Sequence, residues 1–394
     1  MAGMIPREIS PILVEMTRAY PVVTVTGPRQ SGKTTICRHV FPDFEYRNLE
    51  APDVRGYALD DPRAFLKSHA KGVIIDEIQR APHLLSYIQT IVDERNEPGQ
   101  FVITGSQQFE VMNAISQSLA GRTALLKLLP FSIEELRGHL PKLRIDTLLF
   151  TGFYPRIHDR MLQPTRALGD YFETYVERDL RQLASIQDLS AFERFVRLCA
   201  GRIGQPLNLV GLGNDAGVSH ATVRKWLTLL EASYIVFLLR PWHANISKRL
   251  VKTPKLYFYD VGLASFLLGI DEEAQLRRDP LRGHLFENML VMEAVKYRLN
   301  RGKRSNLHFY RESNGTEIDL IAEQGRSLAA GEMKSGETIN RDFFKGFGHL
   351  ARVAGDAWSI SNGLLYGGTE RQDRSDVRVR GALDCHALFR DLGL

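Results

Sequence analysis

The sequence predicts an α/β protein whose first third is a parallel sheet with crossover helices. Two observations carry that reading. Short β-branched runs (Val22–Thr26, Gly72–Asp76 and Phe101–Thr104) alternate with helical patterns. Alternation of this kind reads as parallel strands joined by helices. The first run also leads, through a glycine-rich turn, directly into a helix.

At roughly 100–200 residues per domain, 394 residues imply two to four domains. Hydrophobic residues make up 44% and charged residues 25%, ordinary globular usage that excludes disordered and fibrous classes. The 51 basic and 46 acidic residues leave a net charge of +5, which permits a nucleic-acid partner without demanding one. Cys37, Cys199 and Cys385 lie far apart and form no disulfide framework, pointing to a reducing compartment. The opening residues lack a basic stretch followed by a long apolar one, so no signal peptide is expected. The apolar stretch Val261–Ile270 is too short to span a bilayer. The expectation is a cytoplasmic protein with no membrane association.

Along the chain, the sheet-forming region is expected to occupy 1–145. A helical bridge follows at 146–204, with the amphipathic runs Tyr171–Leu180 and Phe192–Leu198. Residues 205–275 hold two short helices and two β-rich runs. Residues 276–394 return to mixed α/β, with a helix over Gly283–Asn300 and strands at Leu307–Arg311, Glu317–Ala322 and Leu328–Lys334.

Gly27, Pro28, Arg29, Gln30, Ser31, Gly32, Lys33 and Thr34 spell G-x-x-x-x-G-K-T between a strand and a helix. That context makes the string a phosphate loop. Its glycines let backbone amides turn toward phosphate oxygens, and the helix N-terminus adds a favourable dipole. Lys33 then reaches the β- and γ-phosphates, and the Thr34 hydroxyl ligates Mg²⁺. Thr35 completes the nucleotide-contacting run. Arg29 and Gln30 contribute backbone amides.

A second strand, Val73–Asp76, ends in the carboxylates Asp76 and Glu77. Ligands of parallel sheets gather at strand C-terminal ends. Asp76 can hold the Mg²⁺ and Glu77 can polarise the attacking water. A third strand ends in Thr104-Gly105-Ser106. Thr104 or Ser106 can sense the γ-phosphate, or the segment is a polar-capped turn. Arg122 is a candidate arginine finger acting on a neighbouring copy, or a surface ion pair.

The stretches GPRQSGKTT, VIIDEIQ, FVITGSQQF and SLAGRTALLKLLPFSIEEL resemble the prokaryotic AAA-type P-loop ATPases that carry a C-terminal domain of unknown function. Tyr171–Leu180 resembles the start of that partner domain, and the likeness runs from Ile5 to about residue 350. The resemblance implies ATP rather than GTP, consistent with the lack of an N-K-x-D segment.

Leu207–Asp215, a turn through Gly217, and His220–Glu231 behind the N-cap Ser219 read as helix, turn, helix. The runs Tyr234–Arg240 and Lys255–Tyr259 would then form a β-wing carrying Lys248, Arg249, Lys252 and Lys255. A winged helix places its second helix in the DNA major groove. Here that helix offers only His220, Arg224 and Lys225, so a packing or protein-binding role stands beside DNA contact.

The C-terminal part carries Glu287 on a helix, Asp319 on a strand, and Glu332 with Lys334 as E-x-K after a hairpin through Gln324-Gly325. Glu332 and Lys334 share a strand face because side chains alternate. The order resembles the restriction-endonuclease-like PD-(D/E)xK fold. Clustered carboxylates favour a divalent cation, so Glu287, Asp319 and Glu332 are candidate Mg²⁺ ligands. Lys334 would orient water or stabilise developing charge. An acidic–basic strand face without chemistry yields the same strings.

The expected ligands are therefore ATP and Mg²⁺, with DNA, a protein partner or a second copy of the chain as candidate partners. The functional expectation is an ATPase coupled to DNA binding or processing. Its rival is a nucleotide-dependent switch on a protein partner, with the nuclease-like domain inactive.

Overall fold

The computed structural model describes residues 4–394 except 68–70, 96, 106–117, 141, 180–185, 187, 244–252 and 313–314, and the side chains of 176–179. The chain forms two compact units, Met1–Phe131 with Leu299–Lys303, and Ser132–Arg298 with Arg304–Leu394.

The first unit is built on a five-stranded sheet of order β2-β3-β4-β1-β5. Its strands are β1 (Val22–Thr26), β2 (Glu45–Asn48), β3 (Val73–Asp76), β4 (Phe101–Gly105) and β5 (Thr123–Lys127). All four pairings are parallel. Such sheets bury both faces, so their strands are apolar throughout rather than alternating. One face packs Val22, Ile75 and Ile103 with Leu85 and Ile88 of the helix Leu84–Arg95. The other packs Val23, Val25, Ile74 and Val102 with Leu13 of α1 (Ser10–Ala19) and Ile36 of α2 (Lys33–Val40). Since β4 lies between β1 and β3, the ends of three adjacent strands present the loop after β1, Thr104, and the Asp76–Glu77 pair side by side.

The second unit begins with helices and ends on an eight-stranded mixed sheet of order β12-β13-β11-β10-β9-β8-β6-β7. Three helices follow, α3 (Leu189–Ala200), α4 (Leu209–Ala216) and α5 (His220–Ala232), and Phe192 and Phe195 of α3 meet Trp226 of α5 edge-to-face, centroids 5.2 and 5.3 Å apart. The expected turn is present. Gly217 adopts φ +75°, and the Ser219 hydroxyl accepts the Thr222 amide to cap α5. His220, Arg224 and Lys225 are exposed on α5. Upstream, the helix Pro164–Tyr171 runs into a π-helical stretch, Phe172–Asp179.

The two runs expected as a β-wing pair with each other and also join the large sheet. Strand β6 (Val236–Pro241) pairs antiparallel with β7 (Lys255–Phe258) and parallel with β8 (Leu307–Arg311). Lys255 is buried rather than displayed on a basic loop. Lys248, Arg249 and Lys252 lie outside the described residues.

Strands β9 (Glu317–Gln324) and β10 (Ser327–Lys334) form the expected hairpin. Beyond β10 the sheet continues through β11 (Ser359–Tyr366) and β13 (Val377–Gly381), with β12 (Gln372–Asp373) at its edge. The helix α6 (Arg282–Leu299) is buried from Leu285 to Arg298, which explains its lack of an amphipathic pattern. Cys37, Cys199 and Cys385 are buried free thiols. Burial pushes each thiol up, which makes them packing residues rather than nucleophiles. Among the described residues, no helix is long and apolar enough to cross a membrane.

Candidate functional sites

The loop between β1 and α2 is shaped by backbone only certain residues can adopt. Gly27 has φ +147°, and a Cβ there would lie 2.1 Å from the Leu128 carbonyl oxygen. Gly32 enters α2 in the left-handed region at φ +89°, and Gln30 holds φ +62° without being glycine. A strained non-glycine residue of this kind persists where the surroundings over-determine it. Arg7 supplies part of that determination. Its buried guanidinium donates to the carbonyls of Ser31 (2.7 Å) and Leu129 (2.6 Å), and stacks on Phe131. Nothing in its sequence neighbourhood, Ile5-Pro6-Arg7, signals this role.

Lys33 is buried, and its Nζ donates to the carbonyls of Gly27 (3.1 Å) and Pro28 (2.8 Å). Burial lowers its pKa from 10.5 to about 8, against the opposing pull of Glu77 and then Asp76. The Ser31 hydroxyl is fully buried and has no hydrogen-bond partner among the described residues. A buried ammonium held only by carbonyls and an orphaned hydroxyl fit an arriving phosphate oxygen. Thr35 is exposed at the start of α2.

Asp76, at the end of β3, is buried and collects three donors. Thr34 Oγ1 and Tyr46 OH both reach its Oδ2 at 2.8 Å, and the Thr104 hydroxyl donates to Oδ1. Thr104 also accepts the Glu77 amide at 3.2 Å, so one hydroxyl fixes both acids. Glu77 sits at φ +58°, and Gln79 Nε2 donates to its Oε2. Tyr46, from β2, was not foreseen; a lone tyrosine in the short run Glu45–Asn48 carries no motif. Burial, then the bond to Asp76, pushes its phenol up and keeps it a donor. The pair Thr34 and Asp76 supplies the hard oxygen ligands that Mg²⁺ prefers.

Arg122 stands just before β5, half-buried. Its Nε and Nη2 form a two-pronged pair with Asp93, at 2.5 and 2.9 Å. Ser106 lies outside the described residues.

The C-terminal candidates come together at one cleft of about 440 Å³, whose lining includes Lys255, Glu287, Glu317, Asp319, Glu332 and Lys334. The β9–β10 ladder runs to Gly331 opposite Leu320, so Glu332 and Asp319 follow on facing strands. The Met333 amide donates to Asp319 Oδ2 at 2.8 Å, and Lys334 Nζ lies 2.7 Å from Glu332 and 3.5 Å from Asp319. Burial, then the charge of Asp319, pushes Glu332 up to about 9. Against burial, Lys334 and then Lys255 hold Asp319 low. Burial and then Asp319 push Glu287 up to about 7.

Two further residues complete this cleft. Lys255 Nζ reaches Glu287 Oε1 at 2.8 Å and also pairs with Glu317. Tyr257 OH donates to the same Glu287 oxygen at 2.6 Å. Carboxylate oxygens of Glu287, Glu317 and Asp319 lie within 4.8 Å of one another. The expected trio of Glu287, Asp319 and Glu332 is thus joined by Glu317, which shares the sheet face of Asp319 two residues away.

The first unit is a P-loop nucleotide-binding fold, its loop strand separated from its acidic strand by one other. Comparison with known proteins is in accord. A family model described as "AAA domain" matches residues 19–137, and two described as "Domain of unknown function", DUF8612 and DUF4143, match residues 142–274 and 282–385. Two relatives, the uncharacterized proteins Rv2008c of Mycobacterium tuberculosis and Mb2031c of Mycobacterium bovis, are each 33% identical over 366 residues, covering 91% of this chain and 79% of theirs. The chain belongs to their family, in which an AAA domain is followed by a C-terminal domain of unknown function. Among solved structures, the Walker-type ATPase PABY2304 of Pyrococcus abyssi aligns at 14% identity and TM-score 0.44, over 66% of this chain and 94% of that one. The RuvB branch-migration motor of Thermotoga maritima aligns at 17% identity and TM-score 0.32, over 58% and 88%.

Proposed function

We propose that this protein is a Mg²⁺-dependent ATPase that couples ATP binding and hydrolysis to DNA binding or processing. The observation that carries the ATPase reading is the single hydrogen-bonded chain Thr34–Asp76–Thr104–Glu77 beside a buried Lys33. Residues Gly27–Thr35 would cradle the phosphates, with Lys33 on the β- and γ-phosphates. Thr34 and Asp76 would hold Mg²⁺, which neutralises phosphate charge when bound. Glu77 would orient and polarise the attacking water. Arg122, to act as a finger on a neighbouring copy, would exchange Asp93 for phosphate. The exposed His220, Arg224 and Lys225 of α5 offer the DNA contact, and the work would take place in the cytoplasm.

Steady-state ATP hydrolysis with and without duplex and single-stranded DNA tests the proposal. Several-fold stimulation supports coupling to DNA. Turnover indifferent to DNA, with a co-purifying protein, favours the second reading: a nucleotide-dependent switch on a protein partner, its restriction-endonuclease-like domain inactive. One observation favours that second reading, the lysine seated among the cleft carboxylates. Divalent-dependent cleavage of DNA, lost in Asp319→Ala or Lys334→Ala, would rule it out.

A further inference from the structure

The resemblance to endonuclease-like domains implies a divalent cation in the C-terminal cleft, and the residues around it do not fit one. Carboxylate oxygens of Glu287, Glu317 and Asp319 lie there within 4.8 Å of one another. The Lys255 ammonium is already bonded to the first two, and its charge acts on the third. A divalent cation would bind the same oxygens at roughly 2.0–2.6 Å, in the space where Nζ stands. Glu287 Oε1 has a second donor in Tyr257, so its lone pairs are taken. Lys255 cannot swing aside into water. It lies on β7 with its side chain 2% exposed, and Nζ also sits 5.4 Å from the centre of the Phe309 ring. Glu317 is held on its other oxygen by Arg311 at 3.3 Å, and Glu332 by Lys334.

We propose that Lys255 is the built-in cation of this cleft, standing where a divalent metal would stand and keeping one out. The inference is independent of the ATPase reading. It makes the domain's charge balance a property of the chain itself, fixed by the strand β7, which pairs with β6 and bridges to Ile203 and Pro206.

The probe is Mn²⁺ alone, titrated into the nucleotide-free full-length protein and followed by electron paramagnetic resonance. Wild type and Asp319→Asn should bind Mn²⁺ alike, because no site depends on Asp319 while Lys255 is in place. Lys255→Met leaves the carboxylates uncompensated. It should gain a Mn²⁺ site that wild type lacks, and Lys255→Met/Asp319→Asn should lose it. Lys255→Arg, which keeps the charge, should behave as wild type. A wild-type Mn²⁺ site that vanishes in Asp319→Asn would overturn the proposal whether or not Lys255→Met folds. A folded Lys255→Met protein that gains no site would overturn it as well.

Discussion

Lys33 turns the electrostatics of the phosphate loop into a measurable proton. In the nucleotide-free loop its pKa is about 8 rather than 10.5, because burial strips water from an ammonium that has only carbonyls in return. That difference corresponds to about 3 kcal/mol. The unfolded chain holds the proton up to a higher pH than the folded one. Below pH 8 both states are charged and the folded state bears the whole cost; as pH rises toward 10.5 the cost fades. A bound triphosphate reverses the imbalance by placing anionic oxygens beside the ammonium. At pH 9 about nine-tenths of the free loops have lost the proton, and ATP binding must restore it. Calorimetric titration of ATP at pH 9, in two buffers of different ionisation enthalpy, should therefore show uptake of about one proton. The dissociation constant should rise about tenfold between pH 7 and pH 9. Lys33→Ala should abolish tight binding and the uptake with it. A wild-type affinity that stays flat from pH 7 to pH 9, with no proton taken up, would refute this account of Lys33.

Three other outcomes follow from the same geometry. Glu77→Gln should keep ATP affinity and slow hydrolysis by about a hundredfold or more; normal turnover removes Glu77 as the residue acting on water. Tyr46→Phe deletes one of the two donors on Asp76 Oδ2. It should lower kcat several-fold and raise the Mg²⁺ concentration required, with stability changed by only about 1 kcal/mol; an unchanged Mg²⁺ dependence argues that Tyr46 only packs. Gly27→Ala would drive a methyl into the Leu128 carbonyl in a conformation that side chains rarely adopt. Its melting should show a loss of about 2 kcal/mol or more, with nucleotide binding lost too, and a wild-type-like variant would contradict the loop geometry.

What could be read ahead of the structure was what local chemistry encodes. The phosphate loop is contiguous, and its glycines and lysine have position-specific duties, so Gly27, Gly32, Lys33 and Thr34 were legible as a set. Asp76 and Glu77 were legible because an apolar strand ending in acids is itself a pattern. The helix Arg282–Leu299 and the hairpin bearing Asp319 and Glu332 followed from length and alternation. Tyr46 and Arg7 were not legible, since each acts across the fold through a single polar atom group in an unremarkable segment. Lys255 was misread for a related reason. In sequence it ends a run of basic residues, whereas its strand pairs with β6 and carries it into the carboxylates of a helix and a strand far along the chain.

The two sites use the same residue types and reach opposite states of satisfaction. In the phosphate loop, among the described residues, Lys33 has no carboxylate in hydrogen-bond contact and the Ser31 hydroxyl has no hydrogen-bond partner. Those groups gain by receiving an anion, which is what the proposed phosphate site requires. In the C-terminal cleft, Lys255 is in contact with Glu287 and Glu317, and Lys334 with Glu332 and Asp319. An incoming phosphate there meets carboxylates, and an incoming metal meets ammonium groups. A lysine beside acids in an E-x-K pattern is therefore weak grounds for phosphodiester chemistry until its own pairing is known. Substituting Lys255 tests that distinction in a way the motif alone does not.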